Sequence, residues 1–417
     1  MVLILSLSFI IAWPVMAQGD ISPKLNEQLD ELEQTTITIR GLAAMSPVQR
    51  VFPDSETVLD FIMASYNEDM TAEKEKELMD FYSAFGFLEA DFNLKAEIID
   101  LLADQIGGYY DPEVETMNVL LFSSDELGDR LPLLERIIFV HEYTHALQDQ
   151  HYNLQAILDQ MQGESISGDE AIALQALVEG DATFVMNQYT IEETERNPLG
   201  TLTELLMSGL DAGSLALPAG IPDILGAELL MPYEGGAVFV AALYQAGGWE
   251  AVIEAYTNLP LSSEQIYHPQ AYLDGDNPID LSAEAVDQSA RLGDDWTLLQ
   301  ADRFGFFYLR EWLKQQLSSP AAELAATGWG GDWYQIYSNG DEYAWLLRSE
   351  WDDAGAANEF LKGSLSFAAS AYADGSQTGS CWQGEAMALC IQKHSAYRVE
   401  LAQAPTVALA EALLKGE

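Results

Sequence analysis

His141-Glu142-Tyr143-Thr144-His145 sets two imidazoles four positions apart, with a carboxylate directly after the first. On a helix, positions four apart lie on one face, so both rings can reach a single cation. Glu142 projects about 100° further round the axis, beside the coordination position left open for water. Two imidazoles, an adjacent general base and an open position are what metal-assisted hydrolysis requires. In a chain with only five histidines, this spacing arises by chance in on the order of one sequence in a hundred or fewer.

Such a site needs a third protein ligand. No other histidine follows His145 at the short spacing of a third-histidine site, and His151 points roughly 120° away from the pair. A carboxylate is the better candidate, and Glu179 fits best. It lies in Ala176-Leu177-Val178-Glu179-Gly180-Asp181-Ala182, an apolar helical run in which a lone carboxylate is costly unless paired or metal-bound. Gly180 and Ala182 are small enough to let this helix approach the first one. Glu164, Glu170 and Glu193 sit at segment ends among polar neighbours and fit less well. Hydrolysis also needs a donor for the developing oxyanion. His268, in a polar loop after these helices, is the leading candidate as a second catalytic residue, with Tyr233 and Tyr272 as alternatives.

The elements that must hold these groups are legible in outline. Pro132 suits a first helical turn, Leu134, Ile137, Ile138, Ala146 and Leu147 recur at helical spacing, and Asn153 marks the end. Upstream, helices are expected at 22–37, 55–66, 71–85 and 93–106, with Ser55 and Thr71 as N-caps. Gly107-Gly108 ends the last of them, Tyr109-Tyr110-Asp111-Pro112 reads as a turn, and 116–122 as a strand. That strand could lie along the cleft and pair with an extended substrate, or be an ordinary sheet member. Further helices are expected at 169–189, 235–246, 248–257 and 302–317. The tail then changes to hairpins at 334–351 and 381–402, each followed by a helix, at 354–367 and 407–415. The fold class is α+β: a leader at 1–17, an N-terminal helical region at 18–105, a mainly helical catalytic domain with a small sheet at 106–290, and a two-layer α+β domain at 291–417.

A net charge of −49 disfavours nucleic-acid phosphates and anionic membranes and attracts divalent cations or basic substrates. The acids are dispersed, so the simplest reading is a solvating coat. Residues 1–17 carry an apolar run from Val2 to Ala12 and end in Val15-Met16-Ala17, the pattern of a secretory signal. No later segment reads as long and apolar enough to cross a bilayer, so a soluble protein outside the cytoplasm is expected. In that setting Cys381 and Cys390, the two cysteines of the chain, can form a disulfide, the alternative being two free buried thiols. Asp274-Gly275-Asp276-Asn277-Pro278-Ile279-Asp280 departs from the EF-hand order and reads as a solvated acidic turn. A Gly-x-Ser-x-Gly nucleophile element is absent, which argues against a serine hydrolase.

With His-Glu-x-x-His and the downstream glutamate in place, the chain resembles a gluzincin, a zinc metallopeptidase whose third ligand is a glutamate on a following helix. Glu179-Gly180-Asp181-Ala182 resembles the Glu-Gly-x-Ala of collagenase-like and aminopeptidase-like gluzincins. The run Gly107-Gly108-Tyr109-Tyr110-Asp111-Pro112, then His141 to Gln150, then the glutamate helix is similar to uncharacterised secreted bacterial gluzincins. The specific likeness covers roughly residues 107–190 and extends more loosely to Pro232-Tyr233 and to residues 263–269. It implies a zincin-like fold, one catalytic zinc held by His141, His145 and Glu179, Glu142 as general base and acid, and a peptide or protein substrate. The Gly-x-Met-Glu-Asn element of aminopeptidases is absent, which favours an endopeptidase. Thr183 stands four residues after Glu179 where the group usually has an acid, leaving Asp181 or Asp149 to orient an imidazole. The competing expectation is an exported, non-enzymatic binding protein on the same scaffold.

Overall fold

Ser22 accepts the Leu25 N–H and opens helix α1, Pro23–Arg40, which Gly41 closes in the left-handed conformation at φ 75°. The computed structural model describes residues 21–121, 127–163, 165–207, 217–218 and 220–415. The expected leader, the C-terminal end of the 116–122 strand and Glu164 lie outside the described residues. Three helices follow: α2 (Ser55–Asp69), α3 (Ala72–Ala84) and α4 (Leu94–Gln105). Thr71 caps α3 as expected, but α2 is capped by Asp54, whose carboxylate accepts the Thr57 N–H and leaves Ser55 as the first helical residue.

A small sheet has the order β1-β3-β2, with β1 (Gln49–Val51) parallel and β2 (Gly108–Asp111) antiparallel to β3 (Thr116–Val119). Tyr109, Tyr110 and Asp111 are therefore strand, not turn. The reversal comes at 112–115, where the Asp111 carboxylate accepts the N–H groups of Glu113 and Val114. Of the two readings left open for the 116–122 strand, β3 is an inner sheet member, the middle strand of this sheet, and β2 is its edge.

The long helices come next: α5 (Leu133–Tyr152), α6 (Leu154–Gln162), α7 (Gly168–Arg196), α8 (Pro198–Met207) and α9 (Asp223–Ala255). Asn153, at φ 56°, ends α5 and caps α6 through its side chain. Gly247 and Gly248 break α9, which accounts for two expected helices inside one longer one. Contrary to the sequence expectation, α9 is long and apolar enough to cross a bilayer by length and composition. Phe239, Val240 and Leu243 are wholly buried while Val238 and Tyr244 are exposed, so one face of it packs into the core.

Short helices α10 (Ser263–Tyr267), α11 (Pro269–Asp274) and α12 (Ser289–Leu292) lead to the C-terminal part. Its seven-stranded antiparallel sheet, in the order β4-β5-β6-β10-β9-β8-β7, is built from β4 (Thr297–Asp302), β5 (Trp329–Ser338), β6 (Tyr343–Trp351), β7 (Ser376–Thr378), β8 (Cys381–Gln383), β9 (Ala388–Lys393) and β10 (Arg398–Ala404). Helices α13 (Gly305–Lys314), α14 (Ser319–Ala326), α15 (Ala354–Ala371) and α16 (Val407–Leu414) accompany it. The second expected hairpin is three strands, because β8 turns directly onto β9 and bonds Cys381 to Cys390, its cross-strand neighbour. The sheet is covered on both faces. Trp345 and Leu347 point into the core with Trp312 and Phe360, whereas Ala344 and Leu346 pack with Ala410 and Leu413. Apolar residues at consecutive β6 positions thus give three layers where two were expected.

One apolar cluster runs from Phe81 and Phe85 through Leu177 and Phe239 to Trp312, Trp345 and Leu401, crossing residue 290 without a break. A second gathers α1, α5, α6 and α7 around Leu29, Phe139, Leu147 and Leu174, with Met117 of β3.

Candidate metal centre

Helix α5 buries Phe139, Val140, Ala146 and Leu147 on one side and turns His141 and His145 toward α7. The two rings meet edge-on, with Nε2 atoms 3.0 Å apart. From α7, a Glu179 carboxylate oxygen stands 3.2 Å from His141 Nε2 and 3.4 Å from His145 Nε2. Tetrahedral zinc with bonds of about 2.0–2.1 Å sets its ligand atoms about 3.3 Å apart. The three donors match that triangle, and two imidazoles with one carboxylate are a donor set that fits zinc. Among the described residues they are the only histidine, cysteine and acidic cluster of such geometry.

Gln148 fixes how His145 presents itself. Its amide NH2 donates to the Val178 carbonyl at 3.0 Å and to Asp181 at 3.2 Å, so its oxygen must face His145 Nδ1, 2.8 Å away. Nδ1 therefore carries a proton, and Nε2 is the nitrogen that faces Glu179 and His141. Asp181 acts on the imidazole only through Gln148. Asp149 instead accepts from the Tyr110 hydroxyl and the Leu154 N–H. Gln148 was not picked out in the sequence, because nothing in Gln148-Asp149-Gln150 separates it from a solvated helix end. His141 Nδ1 is buried without a hydrogen-bond partner among the described residues.

Burial pushes the Glu142 carboxyl up to about 8, with the Glu179 charge adding to it and His145 and the Tyr110 N–H opposing. Burial works against Glu179 too, but the two histidines hold its carboxyl well below the usual range. His145 is pushed up to about 9, since the pull of Glu179, Glu142 and Gln148 outweighs its burial, whereas burial lowers His141. Edge strand β2 approaches Glu142 closely. A Cβ on Gly108 would lie 3.0 Å from Glu142 Cγ and 2.7 Å from the Asn118 carbonyl oxygen. The Gly107-Gly108 pair therefore serves close approach as well as ending α4.

Of the three oxyanion candidates, Tyr233 is the one at the centre. Its ring lies 6.0 Å from that of His141, and burial, then the charges of Glu179 and Glu142, raise its hydroxyl well above the ordinary value. His268 is elsewhere: it faces Glu323 at 3.6 Å and the edge of Phe306. Tyr272 donates to the Asn258 carbonyl oxygen. His151, as expected, faces away, toward the Ala43 carbonyl oxygen at 2.8 Å. Gly180 does not face α5; it lies against Gly236 of α9.

Residues 296–414 match a family model described as Domain of unknown function (DUF8575). That match contains none of the residues of the metal centre. No curated protein matches the chain. A crystal structure of a candidate hydrolase with a novel fold from Chloroflexus aurantiacus aligns with a TM-score of 0.37 and 19% identity over 63% of this chain and 92% of that chain. At that score neither a fold nor an activity is transferred.

Proposed function

We propose that this chain is an exported zinc metallopeptidase of the gluzincin kind, acting as an endopeptidase. The observation that supports the reading is the meeting of His141, His145 and Glu179 in a zinc-sized triangle beside the buried carboxylate of Glu142. A zinc ion held there would polarise the scissile carbonyl and acidify a water molecule. Glu142, buried beside the three donors, takes the proton of the attacking water and returns it to the departing amine. Tyr233 takes the role first given to His268. Its hydroxyl stays protonated at neutral pH and donates to the oxyanion as charge builds there. Strand β2 is the edge of the small sheet beside Glu142, where an extended peptide would add as a further strand.

The test is metal analysis together with digestion of a peptide library by wild type and Glu142→Gln. Both proteins should hold one zinc per chain and only wild type should cleave. Stoichiometric zinc without cleavage by wild type would favour the non-enzymatic binding protein.

A further inference from the structure

The ligand His145 is tied to the far end of the N-terminal helix by a continuous buried chain of polar groups. From His145 it passes to Gln148 and from there to Asp181. Asp181 is fully buried and receives two groups besides the Gln148 amide. Arg40 Nε lies 3.0 Å from one of its oxygens and 2.7 Å from the other, and the Tyr256 hydroxyl donates at 2.9 Å. Arg40 is the last residue of α1 and has no exposed side-chain surface. Its guanidinium lies over Trp249, 4.4 Å from the ring centre, and reaches the Tyr152 hydroxyl at 3.4 Å. Tyr152 and Tyr256 stack at 4.0 Å and wall off the pair.

A buried ion pair of this kind gives little net stability against an apolar replacement. Its geometric effect is definite. Gln148 can hold His145 in the metal-facing tautomer only while its NH2 end has acceptors, and Asp181 is the charged one. Asp181 in turn is held in place by Arg40. We infer that Gln148 is a positioning residue for the metal ligand His145, and that Arg40 and Asp181 act on the centre through it. This rests on the zinc reading above. It makes the N-terminal helix a working part of the metal centre, though none of its residues reaches the cation.

The test is a double-mutant cycle read as zinc dissociation constant by chelator competition, and as the visible spectrum of the cobalt-substituted protein. Gln148→Met, close in volume and with only a weakly accepting sulfur, should weaken zinc binding about 10- to 100-fold and alter the cobalt bands. Tyr256→Phe and Arg40→Lys should each weaken binding in the wild-type background and add nothing in the Gln148→Met background. Metal-free thermal unfolding of each variant separates this from loss of fold, and Tyr256→Phe serves if Arg40→Lys fails to fold. Unchanged zinc affinity in Gln148→Met would overturn the inference. So would equal losses from Tyr256→Phe in both backgrounds, which would mark a merely structural role. A wild type that holds no zinc would overturn the zinc reading, and this inference with it.

Discussion

Gly180 and Gly236 touch backbone to backbone where α7 crosses α9. A Cβ on Gly180 would lie 2.2 Å from the Gly236 carbonyl carbon, and one on Gly236 would lie 2.1 Å from the Ala176 carbonyl oxygen. This crossing sets the distance between Glu179, the residue before Gly180, and Tyr233, about one turn before Gly236. Gly236→Ala should destabilise the protein by about 1–3 kcal/mol or more, because backbone must move, and should lower peptidase activity. Its neighbour is the control. A Cβ on Gly235 meets Ile266 at an ordinary 3.6 Å, so Gly235→Ala should be neutral or slightly stabilising. Urea unfolding of both variants decides; equal stabilities would show that the crossing can relax.

Tyr233→Phe keeps the ring beside His141 and removes only the donor. Under the peptidase reading, kcat should fall about 10²–10³-fold with little change in KM or zinc content. His268→Ala, beside Glu323, should leave kcat within a few-fold. The opposite ranking in steady-state assays would return the oxyanion role to His268.

Much of the centre was legible because its signals are local. The spacing of His141 and His145, and a glutamate inside an apolar run, are visible within single helices. The hairpin at Ser338-Asn339-Gly340-Asp341 and the helix that follows announced themselves in the same way. What was missed depends on contacts across the chain. Arg40 meets Asp181 over 141 positions, and Gln148 has meaning only once Val178 and Asp181 face it. Strand β2 was hidden because Tyr-Tyr-Asp-Pro carries turn residues, and β4 because its alternating burial continues straight into the α13 pattern. Tyr233 and His268 offer the same hydrogen bond, so only placement could rank them.

Glu228 of α9 accepts hydrogen bonds from Tyr82 and Tyr308 in the interior. Burial pushes its carboxyl up to about 8 from 4.5, with the charge of Glu311 adding and the two hydroxyls opposing. The folded protein therefore keeps a proton that the unfolded chain gives up as pH rises through this window. Stability from this group is complete below about 4.5 and is lost as pH rises to about 8, by up to about 1.4 kcal/mol per pH unit. Asp332, raised by burial to about 7, adds in the same direction. Glu228→Gln should flatten the slope of urea stability between pH 5 and 8 by close to one proton. An unaltered slope would mean that Glu228 is ionised in the folded protein.

The Cys381–Cys390 disulfide closes a short loop, with a sequence separation of 9. Loop-closure entropy alone gives a stabilisation of about 2–3 kcal/mol. Reduction, or replacement of both cysteines by alanine, should lower the unfolding midpoint accordingly while leaving zinc content unchanged. Loss of zinc on reduction would point to coupling between the C-terminal sheet and the centre.

Phe81 lies 4.9 Å from Tyr308, and Phe85 lies 4.9 Å from Trp345, ring centre to ring centre. The family-matched region thus shares its aromatic interior with helices far upstream. Excised from this protein, it would present a bare greasy face and self-associate.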